Sequence, residues 1–147
     1  MLILMPENNN KIRNQVLLFV GVFAIAFAGT QLAMSFFRGG NSKIKAVAEE
    51  LNKKGPQLID PETRIDSTTA AGDTLVYHYT LVNLTQNDTT VNLEGAKAYI
   101  QKQAQANFDT NTKMNELREM KVKLKYEYRD KNGQPLFDFT ITSTRTN

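Results

Sequence analysis

The sequence predicts an α+β protein with one N-terminal transmembrane helix, followed by a four-stranded, mostly antiparallel sheet that carries two or three helices on one face. Three observations carry this expectation. Val16 to Phe37 reads VLLFVGVFAIAFAGTQLAMSFF without a charge. Two later segments repeat apolar residues at helical spacing, and the last third of the chain alternates apolar and polar residues with the period of a strand.

At about 1.5 Å per residue the apolar stretch spans roughly 33 Å, close to a hydrocarbon core of about 30 Å. Backbone amides in lipid must be bonded internally, so such a span is helical. Two readings compete: a buried or amphipathic helix of a soluble protein, and a secretory signal, since Ala26-Phe27-Ala28 before Gly29 has the small-x-small form of a cleavage site. The apolar character continues to Phe37, however, which favours an uncleaved anchor. The predicted organisation is a short tail over 1–15, a transmembrane helix over 16–37, a linker over 38–41 and a soluble domain over 42–147. The expected placement is a single pass through the bacterial inner membrane, with the C-terminal domain periplasmic or extracellular.

Within the domain, Ser42 is a plausible cap for a helix running to about Lys54. Ile44, Val47, Ala48 and Leu51 form its apolar stripe, and Gly55-Pro56 ends it. Thr63 to Thr68 is strand-like, Ala71-Gly72-Asp73 turns the chain, and Thr74 to Leu84 forms the next strand. Leu75, Tyr77, Tyr79 and Leu81 share one side of that strand, opposite Val76, His78, Thr80 and Val82. A polar connection over Gln86 to Thr90 leads to a helix from about Leu93 to Phe108, with Ala96, Tyr99, Ile100 and Ala104 as its apolar side. Met114, Leu117 and Met120 suit a short helix on the sheet. Val122, Leu124, Tyr126 and Tyr128 then alternate with Lys121, Lys123, Lys125, Glu127 and Arg129. Asp130-Lys131-Asn132-Gly133 turns the chain, and Phe137, Phe139 and Ile141 return on the buried side.

Composition excludes several functions. There is no cysteine, hence no disulfide, thiolate nucleophile or thiolate metal ligand. From Gly39 onward 15 Lys and Arg face 14 Asp and Glu, a balance unlike a nucleic-acid footprint. The glycines form neither a P-loop nor a dinucleotide fingerprint, and no cofactor is expected. His78 is the only histidine and has no paired histidine or serine elbow to work with. Asp60, Glu62, Asp66 and Asp73 lack a calcium-loop pattern, so no metal site is expected. The stripe Lys121, Lys123, Lys125 and Arg129 either attracts an acidic partner or anionic head groups, or protects a sheet edge from aggregation.

The segments Leu51-Asn52-Lys53-Lys54-Gly55-Pro56, Ile59 to Ser67, Tyr77 to Asn83, Leu117 to Met120, Tyr126 to Asp130 and Asn132-Gly133 resemble small bacterial envelope proteins with one membrane span and an uncharacterised soluble module. The resemblance covers most of residues 44 to 142 and implies a bacterial origin. It marks Asp60, Arg64 and Asp66 as a polar turn, in which an internal Arg64 to Asp66 contact is equally acceptable. The expected function is a noncatalytic, membrane-anchored interaction or assembly module. Its expected partners are the lipid bilayer and another protein or a second copy of the chain, and its expected surface is drawn from Tyr77, His78, Tyr79 and the basic stripe. The alternative is a tethered receptor for a small molecule, lipid or peptide, and an enzyme comes third.

Overall fold

The computed structural model describes residues 40–145. The stretch expected to span a membrane, 16–37, and the tail before it lie outside the described residues. Among the described residues no helix is long and apolar enough to cross a membrane.

The chain opens on α1 (Gly40–Asn52), whose stripe Ile44, Val47, Ala48 and Leu51 is buried as the spacing requires. The helix takes in Gly40 and Asn41, which were expected to belong to the linker. At its end the Asn52 carboxamide donates to the Thr68 carbonyl at 2.8 Å and accepts from the Thr68 amide at 2.7 Å, fastening α1 to the sheet. The sheet comprises β1 (Gln57–Leu58), β2 (Thr63–Ala71), β3 (Thr74–Leu81), β4 (Lys123–Asp130) and β5 (Pro135–Ile141), in that spatial order. Between β3 and β4 come α2 (Leu93–Thr110), a single 3₁₀ turn over Thr112–Met114 and α3 (Asn115–Glu119).

Two features correct the expected four-stranded sheet. There are five strands, because the two-residue β1 pairs antiparallel with β2 through Gln57 opposite Ile65 and Leu58 opposite Arg64. The sheet is also mixed: β3 and β4 run parallel at its centre, flanked by antiparallel pairs. A parallel pair needs a crossover of a dozen or more residues, and α2 supplies it. The expected anchor helix has no counterpart among the described residues, where three helices cover one face of the sheet.

The register is pinned on the covered face by aromatic rings. Tyr77 stacks on Tyr126 at 5.2 Å between centroids and Tyr79 on Tyr128 at 4.9 Å, across the parallel pair. Tyr126 then meets Phe139 at 4.9 Å and Tyr128 meets Phe137 at 4.7 Å. Slipping a strand by one residue would move every ring to the other face, so this ladder specifies the pairing. Ile100, Phe108 and Leu117 from the helices close over it.

The short α3 ends in a Schellman motif. The Lys121 amide bonds to the Arg118 carbonyl at 2.9 Å and the Val122 amide to the Leu117 carbonyl at 2.9 Å. Lys121 takes the left-handed position with φ 56°. That is why β4 begins at Lys123, two residues later than alternation alone predicts.

Candidate functional site

The open face of the sheet is polar and internally paired. Arg64 Nε donates to Asp66 Oδ1 at 2.6 Å, and Thr80 Oγ1 donates to Asp66 Oδ2 at 2.5 Å. A register shift in β2 between Ile65 and Ser67 accompanies this arrangement. Further along, His78 lies between Thr69 Oγ1, 2.9 Å from Nε2, and Glu127 Oε2, 3.0 Å from Nδ1. Lys125 Nζ reaches Glu127 at 2.8 Å and Asp138 at 3.4 Å, and Lys123 reaches Asp73 at 3.0 Å. The hydrogen bond from Lys125 holds Glu127 below its ordinary carboxylate value, and the same contact raises Lys125.

A hydroxyl, an imidazole and a carboxylate in line have the form of a nucleophile relay. Here Lys125 takes the carboxylate, and His78 stands in the middle of a strand between two paired neighbours. The backbone amides around it are committed to the ladder, so no set of donors is left to stabilise an oxyanion. Among the described residues no three acidic or histidine side chains gather to hold a metal ion.

The site residues named from sequence therefore separate. Tyr77 and Tyr79 are buried beneath the helices, and burial pushes both phenols up from their ordinary value. His78, Lys123, Lys125 and Arg129 belong to the open face, and Lys121 stands apart on the Schellman turn. Asp60 is buried and caps a turn, its Oδ1 accepting from the amides of Glu62 at 2.7 Å and Thr63 at 2.8 Å. Arg64 and Asp66 form the internal pair.

Sequence reasoning missed an apolar groove at the end of the sheet where β3 finishes. Leu81, Leu84, Ile100 and Phe137 contribute to its lining, and Val91, Leu93 and Ala96 complete the apolar part at the head of α2. Glu62 and Asp88 stand at its edge. The groove encloses about 160 Å³. Asn92 caps α2 by accepting from the Gly95 amide at 2.9 Å, which sets Val91 and Ala96 on either side of the cap in the staple arrangement.

The loop over this groove is fixed by a buried carboxylate. Asp130 accepts from the amides of Asn132 and Gln134 at 2.8 Å each, and from Gln86 at 2.9 Å in the β3–α2 connection. Burial opposes its ionisation, and these three amides outweigh it, holding the carboxyl below its ordinary value. The Lys131 amide adds a bond to the Leu84 carbonyl at 3.0 Å, and the Val82 amide adds one to the Glu62 carbonyl at 2.9 Å. In sequence, Val91 and Leu93 beside a polar connection were the available signal.

A family model described as a domain of unknown function, DUF8479, matches residues 40–137. The chain belongs to this family. The DUF8479 match runs from the first residue of α1 into β5 and so takes in the whole groove. No curated protein matches the chain.

Solved structures share the fold of this DUF8479 domain. A Pseudomonas aeruginosa protein described as secreted is 18% identical with a TM-score of 0.58, covering 77% of this chain and 95% of its own. The pilotin EpsS of the Vibrio vulnificus type 2 secretion system is 10% identical at TM-score 0.56, with coverages of 71% and 88%. The type II secretion pilotin AspS of Vibrio cholerae is 18% identical at 0.50, with coverages of 75% and 95%. These likenesses correct the expected grouping with single-span proteins, because the fold is that of proteins described as secreted or as pilotins. The same likenesses overturn the expected inner-membrane single-pass placement and the bilayer as a partner.

Proposed function

We propose that this DUF8479 chain is a noncatalytic protein-interaction module of the bacterial envelope, and that its docking site is the apolar groove at the head of α2. The single observation that carries this proposal is the groove itself, about 160 Å³ lined by seven apolar residues under a loop fixed by Asp130. A cavity of roughly 150 Å³ admits a benzene ring, so the space suits one aliphatic or aromatic side chain of a partner. It is small beside the roughly 300–1,000 Å³ of small-molecule sites, which weighs against a receptor for a lipid or metabolite. Interfaces gain most of their energy from one or two such buried anchors. Glu62 and Asp88 at the edge favour a Lys or Arg next to that anchor. The shared fold with two secretion pilotins supports an assembly role of this general kind.

The test is photo-crosslinking in living cells from a reactive amino acid at position 90, on the groove rim, with and without Ala96→Leu. One discrete crosslinked protein that disappears in the Ala96→Leu chain is the expected result. A crosslinking pattern unchanged by Ala96→Leu contradicts the proposal.

A further inference from the structure

The opposite end of the sheet carries a different recess. It opens where β4 begins and β5 has ended, encloses about 710 Å³, and is lined by Arg118, Glu119, Lys121, Lys123 and Arg145 together with small polar residues and Val122. Four cations from α3, its Schellman turn, β4 and the C-terminal tail thus face one acid.

Hydrogen bonds and an ion pair to surrounding elements fix Arg118, Lys123 and the tail that carries Arg145. The Arg118 guanidinium donates to the carbonyls of Phe108 and Asn111 and to the Asn115 side chain, closing the end of α2. The tail that carries Arg145 is tied to α2 at two points. Gln105 donates to the Thr142 carbonyl at 2.7 Å, and Asp109 accepts from Thr144 through its amide at 3.1 Å and its hydroxyl at 2.6 Å. Lys123 shares its charge with Asp73. Among the described residues no acid pairs with Lys121 or with the Arg145 guanidinium.

Lys121 is the informative residue. The C′ position of a Schellman motif is usually glycine, because a Cβ at positive φ meets backbone oxygen. At φ 56° lysine is the less stable choice, and strain of this kind that persists points to a use for the side chain. What lysine adds there over glycine is a cation at the mouth of the recess.

The geometry points to a second docking site, in this recess, for an acidic peptide segment of a partner protein. A concave basic surface complements an extended run of carboxylates. A bilayer is flat and would meet the outer lysines of the sheet before the floor of a recess. Nucleic acid is disfavoured because no aromatic side chain lines the recess to stack a base. The apolar groove lies at the other end of β3 and β4, so the two sites can be occupied together and can fail independently.

The experiment is fluorescence anisotropy on the full chain with a labelled hexaglutamate peptide, set against hexaglutamine and against phosphatidylglycerol vesicles, with thermal unfolding of every variant. Hexaglutamate is expected to bind in preference to hexaglutamine, with an affinity that falls as salt rises. Lys121→Gly is expected to unfold at a higher temperature than the native chain and yet to bind hexaglutamate about two- to fivefold more weakly, as loss of one exposed ion pair gives. Arg145→Ala is expected to weaken binding similarly, whereas Ala96→Leu in the other groove leaves it unchanged. Equal binding of the two peptides, full binding by a stabilised Lys121→Gly chain, or capture by vesicles without peptide binding would each overturn the proposal.

Discussion

Ala96→Leu puts a number on the apolar groove. Ala96 is 5% exposed, lies on the inner stripe of α2 and lines the groove of about 160 Å³. Leucine adds an isopropyl group directed into that space. At ~0.8 kcal/mol per buried methylene-sized group, complete burial would contribute about 2.4 kcal/mol. The groove is open on one side, so about half of this is realised, and exchanging alanine for leucine in a helix costs a few tenths. The expected outcome is a domain stabilised by about 1 kcal/mol, or about 4–8 °C in unfolding temperature. Urea and thermal unfolding followed by circular dichroism measure it. Destabilisation by about 1 kcal/mol or more would mean that the added group overpacks a closed core, and that the space cannot seat a visiting side chain.

Further expectations concern the frame around the sites. Asn52→Ala removes both bonds to Thr68 and leaves that backbone pair unmet, so urea denaturation should record a loss of about 1–3 kcal/mol. The Tyr128 hydroxyl is buried without a partner among the described residues. Tyr128→Phe should therefore be neutral or stabilising by up to about 1 kcal/mol in a thermal-shift assay, and a clear loss would reveal a bond the fold depends on. Among the described residues five carboxyls have folded values below the ordinary range: the exposed Asp73 and Asp88, and Glu127, Asp130 and Asp109. Lys125 lowers Glu127, the amides of Gln134, Gln86 and Asn132 lower Asp130 against burial, and Thr144 and Gln105 lower Asp109 against burial. Their stabilisation is complete above the ordinary carboxylate values and is lost as pH falls through the lowered folded ones. The unfolding temperature should stay level from about pH 7 to 5 and drop below about pH 4, with a shallower drop in Asp130→Asn.

Local periodicity was legible in the sequence, and contacts between distant segments were not. The α1 stripe of Ile44, Val47, Ala48 and Leu51 and the alternation in β4 follow from side-chain direction, and both are buried as spaced. On α2 the expected stripe included Tyr99, which is 38% exposed, while Phe108 at the far end of the helix is buried in its place. β1 has two residues and offers no period to read. The parallel pairing of β3 with β4 depends on a crossover separating them, and alternation within each strand is the same for either direction. His78 meets Thr69 and Glu127 only because three strands are aligned in register. Lys121 looked like the start of the basic stripe and instead terminates α3, because hydrogen bonds to Arg118 and Leu117 determine its conformation. The groove is assembled from loops more than forty residues apart, joined by Asp130 and Gln86, so its residues were visible one at a time and never as a set.

Whether the groove accepts an apolar side chain is measured most directly by methyl-resolved NMR of the full chain titrated with a capped leucine amide. Saturating shifts confined to the methyls of Leu81, Leu84, Val91, Leu93 and Ile100, and abolished by Ala96→Leu, are the expected result. Shifts spread instead over Val76 and Leu136 on the strands outside the groove, or none at tens of millimolar amide, would contradict it.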